Sequence, residues 1–301
     1  MTGALVAGFG AAAVRIATPL LLAALGETLA ERGGVLDLGI EGAMLVGALA
    51  SVFGAVAGGP WVGIAAGILA GALTAAAFAA VALGAGADQV VTGTAITLGA
   101  TGLTGAVYRM TYGSAGGALQ LSTLPNVHLP LLGGIPIVGP AFFDQPWVTY
   151  GCYLAVPLVW WALFRTRWGL ELRASGESPA AAAASGVRVL RVRVTATVIG
   201  GAFAGLAGAG LVLTQVGTFA ENMTAGRGFI AIAIVVLGRW GPFRVAIAAL
   251  AFGALTALQF LLQGLGLDVP YQLFLVLPYA VALLALAGAV GRTRAPQSLG
   301  R

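Results

Sequence analysis

The feature that most constrains the fold of this chain is a series of long apolar segments separated by short stretches rich in glycine, proline and arginine. A helix of about 20 apolar residues spans the hydrocarbon core of a bilayer, and only 8% of the 301 residues are charged. The segments lack the alternation of polar and apolar residues that barrel strands show. The sequence therefore predicts an all-α protein, a polytopic transmembrane helical bundle of about eight to ten spans in a single domain, residues 1–301.

The predicted spans are bounded by the glycine, proline and arginine stretches. They are 11–30, 38–57, 61–84, 90–110, 147–165, 193–215, 227–238, 243–263 and 271–290. Residues 111–146 are rich in glycine and proline and are predicted to form an outer loop. His128, the only histidine, lies in this loop. A metal site would need further ligands nearby and the sequence shows none, so we expect an ordinary loop residue and no metal site.

The arginines indicate the orientation of the chain. Every basic residue is Arg, and most lie in three segments: residues 165–193, residues 239–244 and the tail after residue 291. Alternating helices bring these segments to one side, which the positive-inside rule makes the cytoplasm. We therefore expect a multi-pass protein of the cell's inner membrane with a cytoplasmic C-terminus and an outer N-terminus. The same rule explains the basic composition, so we expect no nucleic-acid partner.

The longest predicted cytoplasmic segment, about residues 166–192, contains the signals of a short helix. Ser178 is a suitable N-cap, Pro179 suits the first helical position, and Gly186 suits a C-terminal stop. Glu177 precedes the cap, where its charge suits the helix dipole. Because so short a helix is marginally stable in water, we expect it to dock on another protein; a connector held by local packing is the alternative.

Charged residues are concentrated between the first two predicted helices, in GETLAERGGVLDLGIEG, residues 26–42. Asp37 is predicted to cap the second helix. Glu41 lies one turn deeper, where a carboxylate facing lipid costs on the order of 3 kcal/mol, so it should face protein, a cavity or Arg32. We expect structural or gating roles for Arg32, Asp37 and Glu41, with direct substrate contact as the alternative. The glycines here indicate a sharp, broken entry into the second helix.

Two apolar stretches resemble each other. GPWVGIAAGILAGALTAAAF (59–78) aligns without gaps with GPFRVAIAALAFGALTALQF (241–260). Chance similarity between Ala- and Gly-rich helices is one explanation. The other is an inverted repeat, because the predicted topology makes the two copies run in opposite directions. Residues 200–210, GGAFAGLAGAG, repeat small residues at a spacing that favours close helix packing.

Residues used in common enzyme chemistry are scarce. The sequence has no nucleotide-binding P-loop and no HExxH pair, and it contains one histidine and one cysteine. We expect no catalytic residue and no cofactor bound by this chain. A secondary transporter driven by a proton gradient would need embedded acids or histidines as a relay. A secondary transporter is therefore the alternative to a transporter driven by ATP hydrolysis.

Together these residues resemble a permease subunit of an ATP-binding-cassette importer of the branched-chain amino acid/ribose permease superfamily. The match is nearest to its nucleoside-uptake branch, as the shorter of two permeases. The most specific stretches are ATPLLLAALGETLAERGGVLDLGIEGAMLVGA (17–48) and FAENMTAGRGFIAIAIVVLGRWGPF (219–243). Two features depart from the family pattern: Asp37 stands where Asn is more usual, and SPAAAAASG (178–186) is poorer in polar residues.

The resemblance implies a fold like that of type II importers, a separate ATPase that holds ATP and Mg, a second, longer permease and an extracytoplasmic substrate-binding protein. It also implies that the cytoplasmic segment couples to the ATPase through Glu177, Ser178, Pro179, Ala181 and Gly186. The implied substrate is a nucleoside, with a simple sugar or a riboflavin-like solute as alternatives.

Residues for the substrate path are predicted from their chemistry and position. Polar or aromatic side chains near helix ends could pass a neutral ribonucleoside along, and packing or capping is the alternative role for each. These residues are Gln89, Gln215, Asn222 and Phe229.

Overall fold

The structure, a computed structural model, is almost entirely helical. It describes residues 2–113, 119–130, 133–136, 138–264 and 295–300, together with the single positions 272, 276 and 280. Apart from those three positions, the predicted span 271–290 lies outside the described residues. The arginines of the tail, at positions 292, 294 and 301, also lie outside them.

Eleven α-helices are described in these ranges. They are α1 (Thr2–Arg32), α2 (Ile40–Gly58), α3 (Pro60–Ala79), α4 (Gln89–Tyr112), α5 (Val138–Phe142), α6 (Trp147–Arg165), α7 (Arg167–Glu177), α8 (Pro179–Ala184), α9 (Val189–Gly210), α10 (Arg227–Leu237) and α11 (Pro242–Gly264). Short π-helical segments, Ala80–Gly84 and Leu211–Val216, extend α3 and α9. Within the described ranges, seven helices are long and apolar enough to cross a membrane, which confirms the predicted polytopic helical fold.

One predicted span, 227–238, is confirmed as a helix to within one residue but is too short to cross a membrane. Helix α10 runs from Arg227 to Leu237, and its 11 residues extend only about 17 Å, roughly half the hydrocarbon thickness. It ends where Arg239 and Trp240 adopt positive φ values of 51° and 54°. An α-helix cannot continue through that backbone conformation.

Local sequence explains several helix boundaries. The Asp88 carboxylate accepts a hydrogen bond from the Val91 amide at 2.9 Å and starts α4. The Thr166 hydroxyl accepts one from Gly169 at 3.0 Å and starts α7. Proline occupies the first position of α3, α8 and α11, where its missing amide hydrogen costs nothing.

Helices α1 and α9 form an antiparallel pair at the centre of the bundle. At one end, the Gln215 side chain, just after α9, donates to the Arg15 carbonyl at 3.0 Å. In the middle, a methyl group added at Gly200 would lie 2.9 Å from the Gly26 carbonyl oxygen. At the other end, Arg193 lies against Gly33. The two backbones touch at this crossing because neither glycine has a side chain.

The glycine-rich stretch 200–210 packs as predicted. Gly201 and Gly205 of α9 lie directly against the backbone of α3 at Gly67 and Gly71. A side chain at any of these positions would collide with backbone atoms of the facing helix. Close contact between small residues therefore joins α3, α9 and α1.

The two similar stretches occupy equivalent places and run in opposite directions. Gly71 of the first, in α3, packs on α9, and the aligned Gly253 of the second, in α11, packs on α1 at Ala13 and Ala17. Helix α11 is antiparallel to α1, because its start lies next to the Arg32–Trp240 hydrogen bond while Gly253 lies at Ala13. Since α3 is antiparallel to α9 and α9 to α1, the copies are inverted, as predicted.

The predicted outer loop 111–146 contains more regular structure than expected. Strand β1 (Asn126–His128) pairs antiparallel with β2 (Asp144–Pro146), placing His128 opposite Asp144. Helix α5 lies between the two strands. The amide of Leu124 donates to the Leu213 carbonyl at 2.8 Å, so the segment is tied to the end of α9. Sequence reasoning missed these strands because neither has an apolar face of useful length.

Candidate translocation path and coupling element

The entry into the second helix is broken, as the glycines indicated. Helix α1 ends at Arg32, and the chain reverses direction at Gly34, whose φ is 86°. The amide of Asp37 then donates to the Glu27 side chain at 3.1 Å. Because Glu27 precedes Asp37 by ten residues, segment 33–39 runs back along α1 before α2 begins.

Side chains of α4 bind the backbone of segment 33–39, which we call the returning segment. The amide of Leu36 donates to the Gln89 side chain at 2.8 Å, and the Thr97 hydroxyl donates to the Leu38 carbonyl at 3.0 Å. Such bonds supply the partners that a non-helical backbone needs when it is buried in a membrane protein. Gln89, predicted to line the path, therefore positions the broken segment.

Glu41 joins the two halves of the molecule. Its carboxylate accepts hydrogen bonds from the Thr224 hydroxyl at 2.5 Å, the Gly226 amide at 2.8 Å and the Gly228 amide at 2.6 Å. The last two amides belong to the N-terminus of α10, which carries a partial positive charge. Of the environments predicted for Glu41, the structure shows protein contact, and Arg32 is not its partner. Arg32 instead donates to the Trp240 carbonyl at 3.0 Å.

Sequence reasoning missed the three donors that hold Glu41. They lie more than 180 residues away along the chain. The available signal was the GRG sequence at 226–228, where glycines on both sides of Arg227 let a carboxylate approach the backbone closely.

Helices α2 and α10 are corresponding elements of the inverted halves. In one half α2 follows α1 and precedes α3; in the other α10 follows α9 and precedes α11. Both helices begin after an irregular segment, and the two beginnings meet at Glu41. In transporters built from inverted repeats, irregular backbone at corresponding positions of the two halves marks the solute path.

Three further carboxyl groups are buried near the end of α1. They are Glu27, Glu31 and Asp37, each less than 5% exposed. Trp240 donates its indole N–H to Glu31. Burial raises the pKa of Asp37, which lies in the segment between the spanning helices, to about 7.

The predicted capping role of Asp37 needs correction. Its Oδ1 accepts from the Gly39 amide at 2.8 Å, but α2 has Gly39 as its N-cap and no side-chain cap. The chain does not turn into the helix until two residues after Asp37, so this carboxylate closes a local turn instead.

The predicted path residues lie in different parts of the bundle. Gln89 contacts Leu36 near the Arg32 end of α1, whereas Gln215 contacts Arg15 towards the opposite end. Asn222 is exposed in the segment before α10, with a φ of 55°. Phe229 is 41% exposed in the first turn of α10, beside the Glu41 contact. A role of these four residues in substrate passage remains a prediction.

The segment predicted to be cytoplasmic forms two consecutive helices. The short helix predicted after Ser178 is α8, with the Ser178 hydroxyl accepting from the Ala181 amide at 3.4 Å and Pro179 at its first position. Gly186 has a φ of 86° and ends it. The preceding helix, α7, was not predicted, because its apolar positions are few and mixed with arginines.

The two helices enclose an exposed groove. A cavity of about 440 Å³ lies between them, lined among others by Leu170, Glu177, Ala181 and Val187. Glu177, Ser178, Ala181 and Gly186 are exposed and Pro179 is half-buried, whereas Ala182 is buried against the rest of the protein. Helix α8 therefore presents one face to its own chain and leaves the other free.

The end of α7 is fixed by the C-terminal segment 295–300. The Ser298 hydroxyl donates to the Gly176 carbonyl at 2.7 Å, and Arg193 donates to the Ser298 hydroxyl at 2.8 Å. Gly300 donates its amide to the Gly34 carbonyl at 3.2 Å. The C-terminal segment thus links the start of the α8 element to the returning segment beside Asp37.

A polytopic helical bundle with inverted halves, two helices that begin after irregular segments and meet inside it, and an exposed helical element at one end has the architecture of a membrane permease. Comparison with known proteins agrees. Residues 11–286 match the model of the family described as "Branched-chain amino acid transport system / permease component", and the chain belongs to this family.

Relatives with names that state a substrate cover most of the chain. It is 43% identical to a permease protein of Haloferax volcanii named for a glucose ABC transporter, over 87% of this chain and 79% of the relative. It is 37% identical to a guanosine ABC transporter permease protein of Bacillus subtilis, over 94% of this chain and 92% of the relative. It is 32% identical to a nucleoside ABC transporter permease protein of Lactococcus lactis, over 94% of this chain and 92% of the relative. No solved structure matches the chain significantly.

Proposed function

We propose that this chain is the shorter of two permease subunits of an ATP-driven importer that takes up nucleosides. The observation that carries the substrate assignment is similarity to a guanosine and a nucleoside permease over more than nine-tenths of their length. The contact between the first turns of α2 and α10, with Phe229 exposed beside it, supports a path through this region.

Competition for uptake tests the substrate. Cells that depend on this transporter are given radiolabelled guanosine with an excess of unlabelled inosine, glucose or riboflavin. We expect inosine to inhibit uptake strongly and glucose to have no effect. Inhibition by glucose but not by inosine would contradict the assignment and favour a sugar permease, the function that the Haloferax volcanii relative suggests.

The groove beside α8 supports a coupling role for the cytoplasmic segment. Its exposed residues, Glu177, Ser178, Ala181 and Gly186, run from the end of α7 through α8 to the turn that ends α8. In the proposed complex this element docks on an ATPase subunit, which holds ATP and Mg, while a substrate-binding protein delivers the nucleoside on the opposite side. The C-terminus then lies in the cytoplasm and the N-terminus outside.

Affinity purification from the native membrane tests the complex. The tagged chain is extracted in mild detergent and its companions are identified by mass spectrometry. We expect an ATP-binding-cassette ATPase and a second, longer permease. Recovery of the chain alone after crosslinking, with uptake that persists without ATP and collapses with the proton gradient, would support the secondary-transporter alternative.

A further inference from the structure

We propose that this protein binds the phosphate of an anionic phospholipid in a small pocket between α6 and α11. The pocket has a volume of about 140 Å³ and is lined by Trp160, Phe164, Gly241, Pro242, Phe243 and Arg244; we call it the Trp160 pocket. At about 30 Å³ per water, the space holds roughly five waters, enough for a phosphodiester group but not for a whole lipid. None of its lining residues lines the groove beside α8.

One arginine lines the Trp160 pocket, and three more lie near the aromatic rings of its wall. Arg244 lines it, the Arg165 guanidinium lies 5.6 Å from the Trp160 ring, and the Arg32 and Arg173 guanidinium groups lie 5.8 Å and 5.0 Å from the Phe164 ring. Arg32 is close enough to Arg173 and Arg244 to be repelled by both. Glu177 is the acidic group whose charge acts on Arg32, but none of the four arginines has a carboxylate within 4 Å among the described residues.

The backbone of α11 adds a partial positive charge to that of the arginines. Helix α11 begins at Pro242, in the wall of the pocket. The start of a 23-residue helix carries a partial positive charge and attracts anions. Four arginines of like charge, with Glu177 acting on Arg32 and no carboxylate within 4 Å of any of them among the described residues, are therefore stabilised by an external anion.

Exposed aromatic and apolar side chains around the pocket indicate that the anion is part of a lipid. Trp161 is 56% exposed beside Trp160, and Phe243 is 51% exposed at the pocket itself. Ile247, one turn further on the same face of α11, is 68% exposed. Aromatic side chains lie at the level of lipid headgroups, and basic pockets between spanning helices bind anionic headgroups there. The phosphate then lies among the arginines and the acyl chains lie along α11.

Lipid binding in nanodiscs and by native mass spectrometry tests the proposal. The whole chain is purified and titrated with phosphatidylglycerol and, separately, with phosphatidylcholine. The test variant is Arg165→Gln/Arg244→Gln, which changes two exposed arginines and should fold normally. The control is Arg188→Gln/Arg191→Gln, which removes the same charge from exposed positions beside Gly186. Size-exclusion chromatography checks that both variants fold.

We expect the wild type and the control to retain phosphatidylglycerol in preference to phosphatidylcholine. Each basic side chain near an anionic surface is worth a factor of about five in binding, so the test variant should bind phosphatidylglycerol roughly 25-fold more weakly. Equal binding by the test variant and the wild type would overturn the proposal, as would an equal loss in the control. Displacement of the lipid by millimolar inorganic phosphate would show that the pocket takes free phosphate and would overturn the lipid assignment.

Discussion

The Glu41 carboxylate, in the first turn of α2, accepts a 2.6 Å hydrogen bond from the amide of Gly228, in the first turn of α10. This bond connects the starts of α2 and α10, the corresponding helices of the two inverted halves. The same carboxylate also accepts from Thr224 and Gly226. A single buried side chain thus ties the start of α2 to the start of α10, in addition to the glycine contacts between the halves, and its removal has specific consequences.

We expect Glu41→Gln to lower the free energy of unfolding by about 1–3 kcal/mol and to reduce uptake. The amide nitrogen of glutamine cannot accept a hydrogen bond, so one buried donor at the start of α10 loses its partner. Thermal unfolding in detergent measures the loss. The control is Glu221→Gln, which breaks the exposed Arg109–Glu221 ion pair and should change stability by less than about 1 kcal/mol. Equal effects would contradict the role assigned to Glu41.

Packing between α3 and α9 predicts a second effect. Gly205→Ala should destabilise the protein by about 1–3 kcal/mol, because the added methyl group would collide with the backbone of α3 at Gly67 and Gly71. Gly99→Ala is the matched control, since nothing lies within 4 Å of its added methyl group. That change should be neutral or stabilising by up to about 1 kcal/mol. Differential scanning fluorimetry compares the two; a harmless Gly205→Ala would refute the close contact.

Stability should depend on pH through Asp37. Burial raises its pKa to about 7, whereas an unfolded Asp titrates near 3.9. The folded protein therefore binds more protons between these values, so this contribution to stability is complete below about pH 4 and is lost as the pH rises through 7. Asp37→Asn keeps an acceptor for the Gly39 amide and removes the titration.

The melting temperatures of the wild type and Asp37→Asn at pH 5.5 and pH 8 check this. We expect the variant to melt a few degrees above the wild type at pH 8 and to lose less stability between the two pH values. Asp88→Asn, at the exposed cap of α4, should retain the pH dependence of the wild type. The same pH dependence in Asp37→Asn would show that other groups cause it.

The C-terminal segment should stabilise the end of α7. We expect Ser298→Ala to lower the free energy of unfolding by about 1–2 kcal/mol, because it removes the hydroxyl that bridges Gly176 and Arg193. Amide hydrogen exchange around residues 175–178 should then become faster. Thr94→Ala, which removes an exposed hydroxyl bonded only within α4, should leave exchange in that region unchanged. Unchanged exchange in Ser298→Ala would argue against the link.

The coupling proposal makes a prediction about transport. Glu177→Arg combined with Ala181→Trp should abolish uptake and leave membrane insertion intact, because both positions are exposed on the proposed docking face. Ala85→Trp, exposed on a different segment, should transport normally. Uptake is measured with labelled nucleoside, and copurification measures loss of the ATPase. Normal uptake by the double variant would exclude this face as the docking surface.

Much of the fold follows from local sequence. The bounds of α6, Trp147–Arg165, equal the predicted span, and Ser178, Pro179 and Gly186 place α8. These features depend on apolar length and on capping, which act over a few residues. Helix α1 begins earlier than predicted because no proline interrupts its first residues, and the alanines and leucine among them favour a helix despite the glycines.

The features that could not be predicted from the sequence depend on contacts between residues far apart in the chain. The partners of Glu41 are more than 180 positions away, and Ser298 meets Gly176 across 122 positions. Neither pairing has a local pattern, because a carboxylate or hydroxyl is compatible with many donors and acceptors. Helix α7 shows a related limit: its charged residues resemble a loop until Leu172 is seen to be fully buried.

The glycine contacts of the central helices have a mechanical consequence. Where Gly67 and Gly71 meet Gly201 and Gly205, no side chains lie between the backbones to change rotamer and let one helix slide past the other. We therefore expect helices α1, α3 and α9 to move together during transport. We expect the backbone to bend instead in the irregular segments 33–39 and 217–226, on either side of Glu41.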